Sequence, residues 1–200
     1  MKKVSIPALP ERPAWAHKGT FGTCMILGGS LGMMGALVLA GRAALRSGVG
    51  LCRLAAPESL VPLLPACVPE ATALPLPEEQ GAPSLSSVPM LLGAVGSVQA
   101  LGVGPGLSRM GTAPALVLGL LRRLTVPLVL DADALNALGG HPESARATAA
   151  PPLPTPHPGE AAPLPGLASA PDAQDARHEH ARDPPRRTHP PAGATPPPPP

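Results

Sequence analysis

The sequence predicts an α/β fold with a largely parallel sheet and helices on both faces, and two observations carry that prediction. The first is the stretch from His17 to Pro57, HKGTFGTCMILGGSLGMMGALVLAGRAALRSGVGLCRLAAP, which reads as strand, glycine turn, helix, strand. Parallel strands must be joined by a crossover of roughly a dozen residues or more, usually a helix, and this spacing supplies one. The second is that short apolar runs of strand length keep alternating with helical stretches downstream, the pattern of an open parallel sheet.

Residues 1–16 carry Pro7, Pro10 and Pro13 with no hydrophobic period and read as an extended lead-in. Residues 23–27 form an apolar run closed by Gly28, Gly29 and Ser30, a buried strand entering a tight loop. Residues 35–47 read as a helix, with Ala36, Leu39, Ala40, Ala43 and Ala44 assigned to its apolar face and Arg42 and Arg46 to another. Gly48 and Gly50 stop it, and 49–56 resume as a strand. Residues 58–67 are apolar but broken by prolines, so at most a short helix is expected there. Residues 71–76 are a weak strand and 77–87 a polar loop. A helix remnant at 90–95 and a strand at 99–103 lead into Gly104-Pro105-Gly106. The clearest second helix covers 112–124, with Arg122 and Arg123 at the end where positive charge complements the helix dipole. A strand at 127–130 ends at Asp131, and a last helix over 133–138 is terminated by Gly139 and Gly140.

Composition sets the domain limits. Of the 32 prolines, 17 follow residue 150, and beyond Leu167 there is no Val, Ile, Leu, Met, Cys or aromatic residue. Such a segment cannot offset its conformational entropy by burial. The expected organisation is therefore a lead-in at 1–16, a folded domain at 17–167 and a proline-rich disordered tail at 168–200. The formal net charge of +2 arises from interspersed signs, and Trp15 and Phe21 are the only aromatic residues. With neither a basic face nor stacking rings in view, nucleic acid is not an expected partner. Cys24, Cys52 and Cys67 lack C-x-x-C spacing and read as small buried hydrophobes in a reducing compartment, so no metal site is expected. Residues 19–41 hold no charge, but glycines interrupt them and prolines separate them from Lys2 and Lys3. A membrane span or leader is thus disfavoured and a cytoplasmic location expected.

In open parallel sheets, ligands collect beyond the carboxyl ends of the strands. That directs attention to the loops at 28–35, 104–106, 131–136 and 155–160. The glycines of the first loop spell neither G-x-G-x-x-G nor a Walker A loop and could serve as an ordinary turn or as a ligand cradle. Gly104-Pro105-Gly106 is either a plain turn or a place where a ligand approaches backbone closely. Asp131 either caps the helix that follows or faces a ligand. His157, between Pro156 and Pro158, is held in an extended segment and points to a ligand role, whereas Lys18 is equally well a solvated side chain.

Four segments in order, HKGTFGTCMILGGSLGMMGALVLAGRAALRSGVGL, VGPGL, VLDADALNAL and TPHPGE, resemble successive signature segments of the ADP/ATP-dependent NAD(P)H-hydrate dehydratases. The resemblance spans residues 17–160 and implies a ribokinase-like fold. It implies dehydration of hydrated NADH and NADPH, in which a nucleotide phosphorylates the hydroxyl on the reduced nicotinamide ring and phosphate then leaves. ADP or ATP and Mg2+ are the implied cofactors, and a homo-oligomer is an open option. Carried over position by position, it implies substrate contacts at Ala36, Gly106 and His157, with Lys18, Asp131 and Asn136 as lesser candidates.

The family pattern continues with a K-G-x-x-T-like nucleotide segment and a G-T-G-D turn that holds the transferring phosphate and supplies the base. Neither occurs here; Ala192-Gly193-Ala194-Thr195 is a distorted echo of the first, with alanine in place of lysine. Pro163 and Pro165 also fall where the family continues with a helix, whose interior a proline breaks. The expectation is therefore a domain incomplete at its C-terminus, with no catalytic residue assigned and no turnover by this chain. A small-molecule kinase of the same fold, of the hydroxyethylthiazole-kinase type, and a non-catalytic remnant that binds the nicotinamide nucleotide are the alternatives.

Overall fold

Among the described residues, six strands form one sheet in the order Thr72–Leu76, Leu51–Pro57, Thr23–Leu27, Ala100–Val103, Leu128–Leu130 and Leu153–Pro154, and every neighbouring pair is parallel. The computed structural model describes residues 11–139, 141, 148 and 152–157, all within one compact unit, Met1–Leu167. The tail expected at 168–200, residues 158–167 and most of the lead-in lie outside the described residues.

The organising unit is as the sequence predicts: β1 (Thr23–Leu27), α1 (Met34–Arg46) and β2 (Leu51–Pro57), with β1 and β2 paired in parallel. The face of α1 is so only in part. Ala40 and Ala44 pack against the core as predicted, but the buried residues of the helix are Leu37, Val38 and Gly41, while Leu39 is 68% exposed and Ala36 and Ala43 also face out. This helix is apolar nearly all round, so the pattern of small residues left two faces open. The face that packs carries the bulky Leu37 and Val38, with Gly41 where the helix crosses β2. A Cβ at Gly41 would stand 2.9 Å from Leu54 Cδ2. Arg42 points away as expected, and its guanidinium donates to the Cys67 carbonyl oxygen at 2.7 and 3.1 Å.

The proline-broken stretch makes a 3-10 turn (Val61–Leu63) and a one-turn helix, α2 (Leu64–Cys67), before β3 (Thr72–Leu76). The expected loop at 77–87 instead contains a small antiparallel hairpin, β4 (Glu78–Glu79) and β5 (Ala82–Pro83). Gln80 and Gly81 both have positive φ, 53° and 73°, as a two-residue turn with the twist of its strands requires. Glutamine is not one of the usual residues at the first of these positions, so the turn signal was weak. Helix α3 (Val88–Val95), β6 (Ala100–Val103), α4 (Ala113–Leu121), β7 (Leu128–Leu130) and α5 (Asp133–Leu138) follow. A two-residue β8 (Leu153–Pro154) adds to the edge beside β7. No helix among the described residues is long and apolar enough to cross a membrane.

Helices cover both faces. One core runs the width of the sheet from Leu76 through Met25, Leu27, Leu101 and Leu130 and is roofed by Leu91, Leu116, Leu120 and Leu135. The opposite core is smaller: Ile26, Cys52 and Leu54 pack under Leu37, Val38 and Leu64. On that side β7 and β8 are less covered, with Val129 37% and Leu153 63% exposed.

Cys24 and Cys52 are register partners on β1 and β2, both free thiols. A hydrogen bond from the Cys52 thiol lowers Cys24 from its ordinary 9.0 to about 7, while the same contact and then burial push Cys52 up. Alkylation of Cys24 should therefore rise with pH through a midpoint near 7, and Cys52→Ala should return that midpoint toward the ordinary thiol range. A Cys24 midpoint unaffected by Cys52→Ala would refute the contact.

The two readings of α1 are separable by mutation. Leu37→Ala should lower unfolding stability by about 2–5 kcal/mol, the usual cost of emptying a buried leucine site. Leu39→Ala should stay within about 0.5 kcal/mol. Denaturant titration of both variants checks this, and equal losses would restore the rejected face.

Candidate functional site at the strand carboxyl ends

The strand order reverses between β1 and β6, because the chain leaves β1 toward β2 and β3 and returns to build β6, β7 and β8 on the other side. The connections after β1 and β6 consequently lead to helices on opposite faces, α1 on one and α4 on the other. A crevice outside the carboxyl ends at such a reversal is the expected ligand position in open α/β sheets.

Backbone holds the two loops together there. Gly28 N–H donates to Ala55 O at 3.1 Å, Gly29 N–H to Pro105 O at 2.9 Å, and Gly104 N–H to Leu27 O at 3.0 Å. The buried Ser30 donates its hydroxyl to Gly106 O at 2.9 Å. Any side chain at Gly28 would overlap the Pro105 carbonyl, and one at Gly106 would overlap the Met33 carbonyl and press on the Ala36 methyl at 3.2 Å. Gly106 also has φ 65°, a conformation that favours glycine. Ala36 and Gly106 are therefore neighbours, with Ala36 exposed on the first turn of α1. Leu31, Met33 and Met110 add exposed apolar surface on the same two loops.

The third loop follows β7. Asp131 N–H donates to Val103 O at 3.0 Å, which ties the loop to β6. Asp131 does not cap α5: the residue at that position is Ala132, with φ 46° and ψ −116°, and no side chain caps the helix. Instead Asp131 Oδ1 accepts from Thr155 Oγ1 at 2.7 Å, linking the end of β7 to the end of β8. Asp133 Oδ2 accepts from Ser108 N–H at 2.9 Å, and its Oδ1 accepts from Asn136 Nδ2 at 3.2 Å. His157 lies just past β8 and is exposed.

Ala36, Gly106, Asp131, Asn136 and His157 are thus all carried by elements that end or begin at the carboxyl edge of the sheet. Lys18 is not. It opens a 3-10 turn (Lys18–Phe21) that precedes β1, and its carbonyl packs against Gly50 just before β2. Both neighbours mark the amino ends of the strands, so Lys18 sits at the other edge. Two open cavities also lie away from the carboxyl edge. One, of about 610 Å³, is lined by Arg42, Arg46, Cys67 and Glu70; the other, of about 820 Å³, by Arg12, Phe21, Gly48 and Gln99. Of two residues that matter locally, the sequence marks Ser30 as part of a loop and Asp133 as the start of a helix and a carboxylate near a strand end.

Residues 24–188 match the family described as NAD(P)H-hydrate dehydratase. The chain belongs to the NAD(P)H-hydrate dehydratase family. It is 42% identical over 168 residues to the bifunctional NAD(P)H-hydrate repair enzyme of Moorella thermoacetica, covering 84% of this chain and 32% of that protein. It is 34% identical over 175 residues to the ADP-dependent (S)-NAD(P)H-hydrate dehydratase of Bacillus subtilis, covering 88% of this chain and 58% of that one. The crystal structure of the ADP/ATP-dependent NAD(P)H-hydrate dehydratase from Bacillus subtilis, co-crystallized with ATP and Mg2+, superposes with a TM-score of 0.58 at 30% identity, over 87% of this chain and 56% of that one. The ribokinase-like fold expected from the sequence is also found in a ribokinase-like protein of Enterococcus faecalis, with a TM-score of 0.64 at 22% identity. The chain spans from under a third to somewhat over half of the length of these relatives.

In this member of the dehydratase family, the close approach of the loops after β1 and β6 leaves no room for a methyl at Gly28. Gly28→Ala should force the Pro105 carbonyl away, destabilise the domain by about 1–3 kcal/mol as an overpacked site does, and displace Gly106. Gly35→Ala, with open space around the new Cβ, should be tolerated. Thermal melting of the two variants is the check; a Gly28→Ala melt equal to wild type would overturn the contact.

Proposed function

We propose that this chain provides the nicotinamide-side part of an ADP/ATP-dependent NAD(P)H-hydrate dehydratase, and that it binds hydrated NADH or NADPH at the carboxyl edge of the sheet. The observation that carries the proposal is the convergence of Ala36 and Gly106 at the strand-order reversal. Ala36, Gly106 and His157 are the proposed substrate contacts, with Asp131 and Asn136 beside them. Lys18, at the other edge, is not retained among them. The exposed apolar surface of Leu31, Met33 and Met110 suits a nicotinamide ring, and the backbone groups of the two glycine loops suit its polar substituents.

What the described residues do chemically is bind and orient. A general base must be free to reach the substrate hydroxyl. Both oxygens of Asp133 and one oxygen of Asp131 already accept hydrogen bonds that hold loops in place. Among the described residues no three His, Cys, Asp or Glu side chains converge. The phosphoryl donor of the family reaction, ADP or ATP, would supply the leaving phosphate. The proposed share of this chain is to present the hydrated ring. Binding that is equal in the ground and transition states does not speed a reaction, so the 200-residue polypeptide by itself is proposed to bind without turnover.

Two measurements on the purified chain test this. Calorimetric titration with hydrated NADPH should show saturable binding, weakened by His157→Ala with the fold retained. Incubation with hydrated NADH and ATP should regain NADH no faster than a no-protein control. Absence of binding would remove the substrate assignment, and ATP-dependent recovery well above the control would show that this chain holds catalytic groups.

A further inference from the structure

We propose that Ser30 and Asp133 are positioning residues that grip the 104–108 turn from opposite sides and so set Gly106 against Ala36; the inference rests on the reading of this edge as the nicotinamide-side site. The turn is conformationally costly. Gly104, Gly106 and Ser108 have φ of 125°, 65° and 80°, so three of five consecutive residues are left-handed. Glycine adopts such angles without steric penalty, but Ser108 carries a Cβ and does not. A residue held in that region persists only where its surroundings over-determine it.

The surroundings do so through two side chains. Ser108 is buried, and its N–H donates to Asp133 Oδ2 at 2.9 Å. A buried amide must find an acceptor, and a carboxylate is a strong one. The carboxylate is itself oriented, because Asn136, one turn further along α5, donates to its other oxygen at 3.2 Å. The residue that delivers Asp133 to this place, Ala132, is also left-handed at φ 46°. The hydrogen bond thus joins one positive-φ residue, Ser108, to the residue that follows another, Ala132. On the other side Ser30, 2% exposed, donates its hydroxyl to the carbonyl of Gly106 itself. The hydroxyl and the carboxylate hold the turn from the loops after β1 and β7, and neither loop is its sequence neighbour.

Without Asp133 the Ser108 amide loses its acceptor, and the turn relaxes toward negative φ, carrying Gly106 off Ala36. Apparent affinity then falls in proportion to the fraction of molecules that keep the competent turn. In the 200-residue chain, Asp133→Ala should weaken binding of hydrated NADPH by about tenfold if about a tenth of molecules keep that turn. The Ser108 amide should exchange hydrogen faster, while protection of the β1 and β6 amides is unchanged. Asp133→Asn should restore most of the affinity, because its amide oxygen still accepts from Ser108. Ser30→Ala should weaken binding in the same direction and decides the matter if Asp133→Ala does not fold. Wild-type affinity in both alanine variants would overturn the proposal, as would an Asp133→Asn variant as weak as Asp133→Ala. If the parent chain does not bind hydrated NADPH, the substrate reading fails by itself. The positioning role is then judged on exchange alone: faster exchange confined to 104–108 supports it, and unchanged exchange at Ser108 refutes it.

Discussion

The contact on which this structure depends is backbone against backbone: the loop after β1 lying on the loop after β6, joined by Gly29 N–H to the Pro105 carbonyl. These are adjacent central strands whose connections depart to opposite faces, so the two loops would otherwise diverge and leave a gap. Glycine at 28 and 106 removes the Cβ atoms that would hold them apart, and the freed peptide groups bond across the gap. The sheet is thereby closed at the point where it reverses, and what is left exposed on the two loops includes the apolar side chains of Leu31, Met33 and Met110.

Much of this was legible in the sequence because the strands are short, apolar and bounded by glycine. The limits of β1 and the extent of α5 follow from apolar runs meeting residues that cannot continue them. The buried face of α1 was not legible. In an alanine-rich helix several faces are apolar, and the choice falls to the one whose large residues and single glycine fit β2, a tertiary fact. The hairpin at Glu78–Pro83 was missed because its left-handed positions are filled by Gln80 and Gly81, a pair that does not advertise a turn of that type.

The site divides in the same way. Ala36, Gly106, Asp131, Asn136 and His157 all follow strands, so their common edge could be inferred from chain direction alone once the sheet is parallel. Lys18 precedes β1, and the same argument places it at the opposite edge, where it is found. The partner of Asp131 was out of reach: Thr155 follows a two-residue strand with no periodicity of its own. Backbone φ is equally invisible in sequence when the residue is serine or alanine, which is why Ser108 and Ala132 gave no signal.

Holding and reacting make opposing demands on the same side chains. A carboxylate that fixes a loop accepts donors on its oxygens, and each lone pair so used is not offered to a substrate hydroxyl. Asp133 is the clear case, with a backbone amide on one oxygen and an asparagine amide on the other. Asp131 is engaged on one oxygen by Thr155. On the proposed reading, the three loops hold and orient, and the base and the anion-stabilising amides of the family reaction are supplied by other elements. That division suits phosphoryl chemistry, in which positioning and electrostatic stabilisation carry nearly all of the rate enhancement and each must be preorganised separately. Rigid presentation of the ring by the loops after β1, β6 and β7 is then a contribution in its own right, because misplacement of the reacting hydroxyl by about 1 Å can cost on the order of a hundredfold in rate.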